Sequence, residues 1–159
     1  MARSTGKKNI NAEIPSPPED TNALNEIQFK EIEPISRFTD FDIHLFKQGK
    51  HYKLYEKFGA HVMENQGIIG TYFAVWAPNA RSISVIGNFN GWNKEAHSLE
   101  ARWDSSGIWE GWIPDIGVGE VYKYFIISKS GQHLEKSDPY ALWCEVAPKT
   151  ASIVWDNWY

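Results

Sequence analysis

The sequence has a single cysteine, Cys144, in 159 residues. One cysteine excludes an intrachain disulfide and a cysteine-built zinc cluster. A lone free thiol of this kind is expected to be buried and structural. Positive charge is not in excess either. The formal net charge is -4 and the pI about 5.7, so there is no electrostatic footprint for nucleic acid or an anionic membrane surface. No apolar run approaches the roughly 20 residues needed to cross a bilayer. The first twenty residues lack the apolar core of a secretory signal. The expected location is therefore cytoplasmic, with no membrane and no nucleic-acid partner. Reactive motifs are missing as well. The five histidines show no HExxH spacing, and there is no GxSxG, P-loop or GxGxxG. Asp104, Asp115 and Glu120 fall in turn-forming stretches, where solvated carboxylates are ordinary. The expectation is no catalytic residue, no metal and no cofactor.

What the chain has in quantity is aromatic surface: 8 Trp, 7 Tyr and 8 Phe. Such residues build β-sandwich cores and also serve as flat platforms for ligands. The stretch from Thr71 to Trp92 shows both uses. Tyr72, Phe73, Val75 and Trp76 favour a strand, as do Ile83, Val85 and Ile86. Between them Ala77-Pro78-Asn79-Ala80 suits a tight turn. The second strand runs into Gly87-Asn88-Phe89-Asn90-Gly91-Trp92, where Asn90-Gly91 is a strong turn signal. A turn there leaves Trp92 on a loop at the rim of a sheet.

Residues 1–37 read as a flexible tail, rich in proline and poor in apolar side chains that could offset the entropy of ordering. Within it, Asn25 to Ile35 alternates weakly, as a strand that docks only in a larger protein would. Residues 38–69 read as a short helical and irregular lead-in. Thr39 or Asp40 caps a helix over Phe41 to Gln48 that Gly49 ends, and His51 to Phe58 has near-helical spacing. Residues 70–159 read as a β-sandwich. Ile108 to Ile113, Glu120 to Ser128 and Ala151 to Trp155 are its clearest later strands, and Lys129 to Gln132 makes a hairpin turn. About seven short strands at even spacing, with no long helix, indicate an all-β antiparallel sandwich.

Two residues stand out for binding. Trp92, after a loop turn, is badly placed for a core. Lys123 is assigned to the apolar face of its strand, either snorkelling at the sheet edge or donating hydrogen bonds beside an aromatic platform. An indole with one or two polar groups suits a sugar, whose C–H faces stack and whose hydroxyls take hydrogen bonds.

Three segments carry a family resemblance: Leu54 to His61 (LYEKFGAH), Gly70 to Ala80 (GTYFAVWAPNA) and Val85 to Trp92 (VIGNFNGW). Ser106 to Glu110, Tyr122-Lys123-Tyr124, Lys136 to Ala141 and Lys149 to Ser152 agree in order and spacing. Together they resemble the N-terminal part of bacterial glycogen (1,4-alpha-glucan) branching enzymes, from about Asp40 to Tyr159. The resemblance implies an immunoglobulin-like sandwich of carbohydrate-binding module family forty-eight. It implies that glucose stacks on Trp92 and is hydrogen-bonded by Lys123. Related glycogen-targeting modules carry a second Trp after the Gly-Gln turn. Here His133 follows that turn, so His133 is the third candidate contact and the second flat platform is replaced. The implied partners are an α-1,4-glucan (glycogen, starch or a maltooligosaccharide) and a (β/α)8 catalytic barrel of the parent enzyme. Such a barrel takes about 250 residues, and this sequence holds none of it. The barrel is expected to meet the C-terminal aromatics Trp143, Trp155, Trp158 and Tyr159. Two further readings stay open. One is a packing domain that orients the barrel without appreciable sugar binding; the other is a standalone adaptor that targets glycogen.

Overall fold

The computed structural model describes residues 30–156. The polar start of the chain, and Trp158 and Tyr159 at its end, lie outside the described residues. Helix α1 spans Asp40–Lys47, and a 3-10 turn follows at Leu54–Glu56. Nine strands complete the chain: β1 Gly59–Asn65, β2 Ile68–Trp76, β3 Ala80–Gly87, β4 Glu100–Ala101, β5 Ile108–Pro114, β6 Val121–Ser128, β7 His133–Lys136, β8 Trp143–Cys144 and β9 Ser152–Ile153. Every pairing is antiparallel. One sheet has the order β1-β2-β5-β4; the other has β3-β6-β9-β8, with β7 on β6. The expected sandwich is what the chain forms.

The inner faces meet in one cluster. Phe73 and Val75 of β2 and Ile113 of β5 pack towards Ile83 and Val85 of β3 and Tyr122 and Tyr124 of β6. The turn at Ala77 to Ala80, closed by the Ala80 amide donating to the Ala77 carbonyl at 3.1 Å, does not make a hairpin. It carries the chain from the first sheet to the second, so β2 and β3 face each other across the core.

The first sheet's outer face is also apolar. Tyr72, Ala74, Ile108 and Trp112 are covered by Phe38, Ile43 of α1 and Phe58. Burying such a face contributes on the order of 25 cal/mol per Å², which is why the N-terminal segment lies down on it. Helix α1 is fixed by a capping box: the Asp42 amide donates to Thr39 Oγ1, and the Thr39 amide to the Asp42 carboxylate.

The strand before Gly70 was not anticipated, because Gly59 to Asn65 alternates poorly; its register against β2 places it in the sheet. Residues 30–37 are not a loose tail. Glu33 exchanges two backbone hydrogen bonds with Trp112 at 2.7 and 2.9 Å, while Ile32 and Ile35 pack on the two clusters. The close approach depends on Gly111, where a Cβ would come within 2.5 Å of Ile32 Cδ1. Of the expected strand from Asn25 to Ile35, residues 25–29 lie outside the described residues, and the described part pairs within this chain through a single bridge at Glu33. Asp104 is not a solvated turn carboxylate. It accepts from Arg102 Nε at 2.8 Å in a nearly enclosed pair, and Arg102 also donates to Glu110 Oε1 at 2.9 Å. Cys144 is exposed, because it lies on a two-residue edge strand.

Candidate functional site

The loop carrying Trp92 is organised from below by Asn90, a buried side chain. Asn90 Oδ1 accepts from the Gly87 amide at 3.1 Å, and its Nδ2 donates to the Val85 carbonyl at 2.9 Å. The same Nδ2 lies 2.9 Å from Nδ1 of buried His97, whose Nε2 is 3.0 Å from the Lys30 carbonyl. An amide NH2 is donor only, so His97 Nδ1 accepts and the proton sits on Nε2. Asn90 was legible in the sequence only as a turn residue. Its role in bonding three groups requires the folded loop.

This clamp passes the chain through two left-handed residues, Gly91 at φ 63° and Trp92 at φ 58°. For Trp that conformation is strained, typically by about 1–3 kcal/mol. It turns the indole outward, 37% exposed. The ring plane is then set by Trp92 Nε1 donating to Asn88 Oδ1 at 2.9 Å, and its backbone by the amide donating to the Gly87 carbonyl at 2.9 Å.

Burial pushes the His97 pKa below the ordinary histidine value. The unfolded chain therefore takes up this proton at a higher pH than the folded one. Stability from this site is full above about pH 6.5 and falls as pH drops towards the folded value. We expect Trp92 indole fluorescence to report loosening of the loop in that acidic window. In Asn90→Ala the same change should appear at higher pH, since the clamp has already lost its hub. An identical pH profile for the two proteins would show that the clamp does not govern the loop.

Lys123 needs correction as to face. The core side of β6 is Tyr122, Tyr124 and Ile126; Lys123, Phe125 and Ile127 point the other way, onto the outer face of the second sheet. Register places Ile86 opposite Lys123 on one side, and Glu135 opposite Phe125 and His133 opposite Ile127 on the other. Trp92 is anchored on Gly87, next to Ile86. By register Lys123 and His133 share the outer side of the second sheet, and the Trp92 loop leaves β3 at Gly87, next to Ile86 opposite Lys123. The exposed His133 ring meets Phe125 edge-on at 5.5 Å. Trp112 is fully buried and belongs to the first sheet's covered outer face.

Two members of this face were missed. Lys94, two residues beyond Trp92, holds its ammonium 4.5 Å from the Phe125 ring centroid and 3.8 Å from the Glu135 carboxylate. It lays the Trp92 loop against β6. Phe125 was visible by its period-two spacing from Lys123, but the mistaken face hid its meaning. What results is a locked indole, an amino group and a mixed polar rim with hydrogen-bond donors and acceptors. Among the described residues no cluster of His, Cys, Asp and Glu could hold a metal ion. No helix among them is long and apolar enough to cross a membrane.

Comparison with known proteins agrees with this architecture. The family model of carbohydrate-binding module 48 (isoamylase N-terminal domain) matches residues 57–141. A 1,4-alpha-glucan branching enzyme GlgB of Thermosynechococcus vestitus is 55% identical over 120 residues, covering 76% of this chain and 15% of that enzyme. The corresponding enzyme of Desulfitobacterium hafniense is 50% identical over 117 residues, or 74% of this chain and 18% of that one. The chain thus spans less than a fifth of these relatives. Among solved structures, a pullulanase of Klebsiella pneumoniae complexed with maltotriose superposes with a TM-score of 0.50 at 25% identity, covering 63% of this chain and 10% of that one.

Proposed function

The chain belongs to the carbohydrate-binding module 48 family, and from that premise we propose that its outer β3-β6-β7 face binds α-1,4-glucan. The observation that carries the reading is the Trp92 indole, turned outward at a backbone cost and held in one plane by Asn88. In the proposal a glucose ring stacks on that indole while Lys123 donates to its hydroxyls, and His133 meets the next ring less firmly than a second Trp would. The relatives' names extend the reading: the module serves a 1,4-alpha-glucan branching enzyme, holding glucan near a barrel that carries the chemistry. The reaction there is cleavage of an α-1,4 link and transfer of the chain to a 6-hydroxyl. Residues of this chain contribute binding and no reaction step.

One platform contributes on the order of 1–3 kcal/mol, by analogy with base stacking, and ligand ordering opposes it. Binding should therefore be weak, and maltoheptaose should shift the Trp92 indole signal and the Lys123 amide together. Trp92→Ala should remove the Lys123 response while changing unfolding free energy by less than about 1 kcal/mol, since an exposed left-handed Trp leaves no core cavity. A Trp92→Ala protein whose Lys123 amide still responds normally would move the site elsewhere.

A second reading has its own observation. Trp143 and Trp155 stack at 5.5 Å between centroids, yet both are exposed, beside exposed Leu142 and Val146. Contiguous exposed apolar surface marks an interface. A packing role against a catalytic barrel rests on this patch, at the β8 edge of the second sheet, and is compatible with sugar binding on β3, β6 and β7 of that sheet. A standalone adaptor that targets glycogen has no such specific support.

A further inference from the structure

Trp76, at the end of β2, is the second tryptophan held in one plane at the surface. It is 55% exposed, yet its Nε1 donates to the Ser106 carbonyl at 3.0 Å. The turn that offers this carbonyl is built for the purpose. Ser105 at φ 60° and Gly107 at φ 77° are both left-handed, and a Cβ on Gly107 would press on Pro78 and lie 3.1 Å from the Trp76 indole nitrogen. Phe46 meets the same indole edge-on at 6.1 Å between centroids. In front of the ring lies a cleft of about 580 Å³. Leu54, Pro139 and Tyr140 form its apolar wall, and Tyr140 is itself fixed by stacking on buried Phe58 at 5.3 Å. Lys47 and Ser105 lie on its rim, the former bonded to the Asp104 carbonyl.

We propose that this cleft is a second α-glucan site. The choice of ligand rests on the α-glucan reading above; the site itself rests on the cleft and the locked indole. A flat aromatic face with hydroxyl and ammonium groups only at the rim matches a ring that is apolar on its faces and hydroxylated at its edges. An anionic ligand fits less well, because the one cation at the rim is already engaged. Trp76 projects from the same side of β2 as Tyr72 and Ala74, under the helical cover, whereas the Trp92 loop is laid on the outer face of the second sheet by Lys94 against Phe125. The two sites are thus on opposite faces of the sandwich, and one short linear glucan cannot occupy both. A branched polymer can, by presenting two chains. The module would grip glycogen bivalently and gain avidity of about 100-fold or more over either site alone.

The test uses the chain with 15N-labelled tryptophan, titrated with maltoheptaose and then with glycogen. We expect the Trp76 indole signal to shift in Trp92→Ala, and the Trp92 signal to shift in Trp76→Ala. Each single variant should lose about 100-fold or more in glycogen affinity while its remaining site keeps its maltoheptaose affinity. Trp76→Ala should fold, because the side chain is more than half exposed; dispersed spectra check this. A Trp76 signal that stays still at saturating maltoheptaose overturns the proposal and leaves the Trp92 reading standing. A Trp76 signal that moves with an apolar dye but not with maltoheptaose overturns it in favour of a protein-docking cleft. A wild-type protein in which Trp76 moves and Trp92 does not supports the cleft and removes the Trp92 site instead.

Discussion

Trp112→Ala should lower the unfolding free energy by about 3–5 kcal/mol. Trp112 is fully buried, and its indole fills the space between the first sheet and the N-terminal cover. Truncation removes that contact and leaves a cavity whose walls, Phe38, Ile43 and Phe58, are anchored by other bonds and cannot close fully. The Trp112 Nε1 bond to the Met63 carbonyl, 3.3 Å, is lost too. The damage should spread beyond the site. Residues 30–37 are held largely by the Glu33 pairing with the Trp112 backbone and by apolar packing on this layer. Their amide exchange should accelerate along with the fall in urea midpoint. Trp103→Ala is the control, since Trp103 is 84% exposed and should change the midpoint little. Equal midpoints for Trp112→Ala and wild type would mean that the N-terminal layer is not part of the cooperative unit.

The other large effect is expected at Asp138. This carboxylate is buried and accepts from the hydroxyls of Tyr122 at 2.7 Å and Tyr124 at 3.0 Å, and from the Tyr140 amide at 2.9 Å. Its own amide donates to Ser152 Oγ at 2.9 Å. Asp138 therefore ties the core face of β6 to β9 and to the segment that walls the Trp76 cleft. Asp138→Ala strands two buried hydroxyls at about 1–3 kcal/mol each, so a loss of about 2–6 kcal/mol should appear in urea unfolding. Asp138→Asn keeps an acceptor and should lose less. Burial pushes the Asp138 carboxyl above the ordinary aspartate range, with the two hydroxyls and the amide pulling the other way. The folded chain then keeps this proton to higher pH than the unfolded chain does. Its stabilising share is full below about pH 4 and declines as pH rises through the folded value. Asp42 and Asp104 are shifted downward and act oppositely, losing their share as pH falls. Comparing wild type with Asp138→Asn isolates the first slope. If the two proteins show parallel pH profiles, Asp138 is not the group responsible.

Much of this was legible in one dimension, and for identifiable reasons. A sandwich follows from short alternating strands and turn residues, because period two and turn chemistry are local properties. Helix α1 was legible from Thr39 and Gly49 for the same reason. The exposed loop position of Trp92 was legible because Asn90-Gly91 can only turn. Local pattern does not say which face of a strand meets which partner. Lys123 and Phe125 alternate with Tyr122 and Tyr124, and both sets are apolar enough to be read as core; only the packing of the two sheets puts Lys123 outside. The same limit hid Lys94, whose meeting with Phe125 depends on how the Trp92 loop lies. It hid the docking of Glu33 on Trp112 across the whole intervening chain.

The sequence by itself determined that this chain is an aromatic-rich, antiparallel β-sandwich of a recognisable carbohydrate-binding family, with a tryptophan displayed on a loop. Tertiary structure alone decided which strand tryptophans are displayed and which are core. Trp76 and Trp112 both sit in strands, and nothing in their neighbours' identities separates them. What separates them is distant in sequence. Trp76 is fixed by the Ser106 carbonyl, whereas Trp112 is enclosed by residues from 38 to 58. Burial is a sum over all neighbours in space, and most of those neighbours are supplied only when the chain has closed on itself.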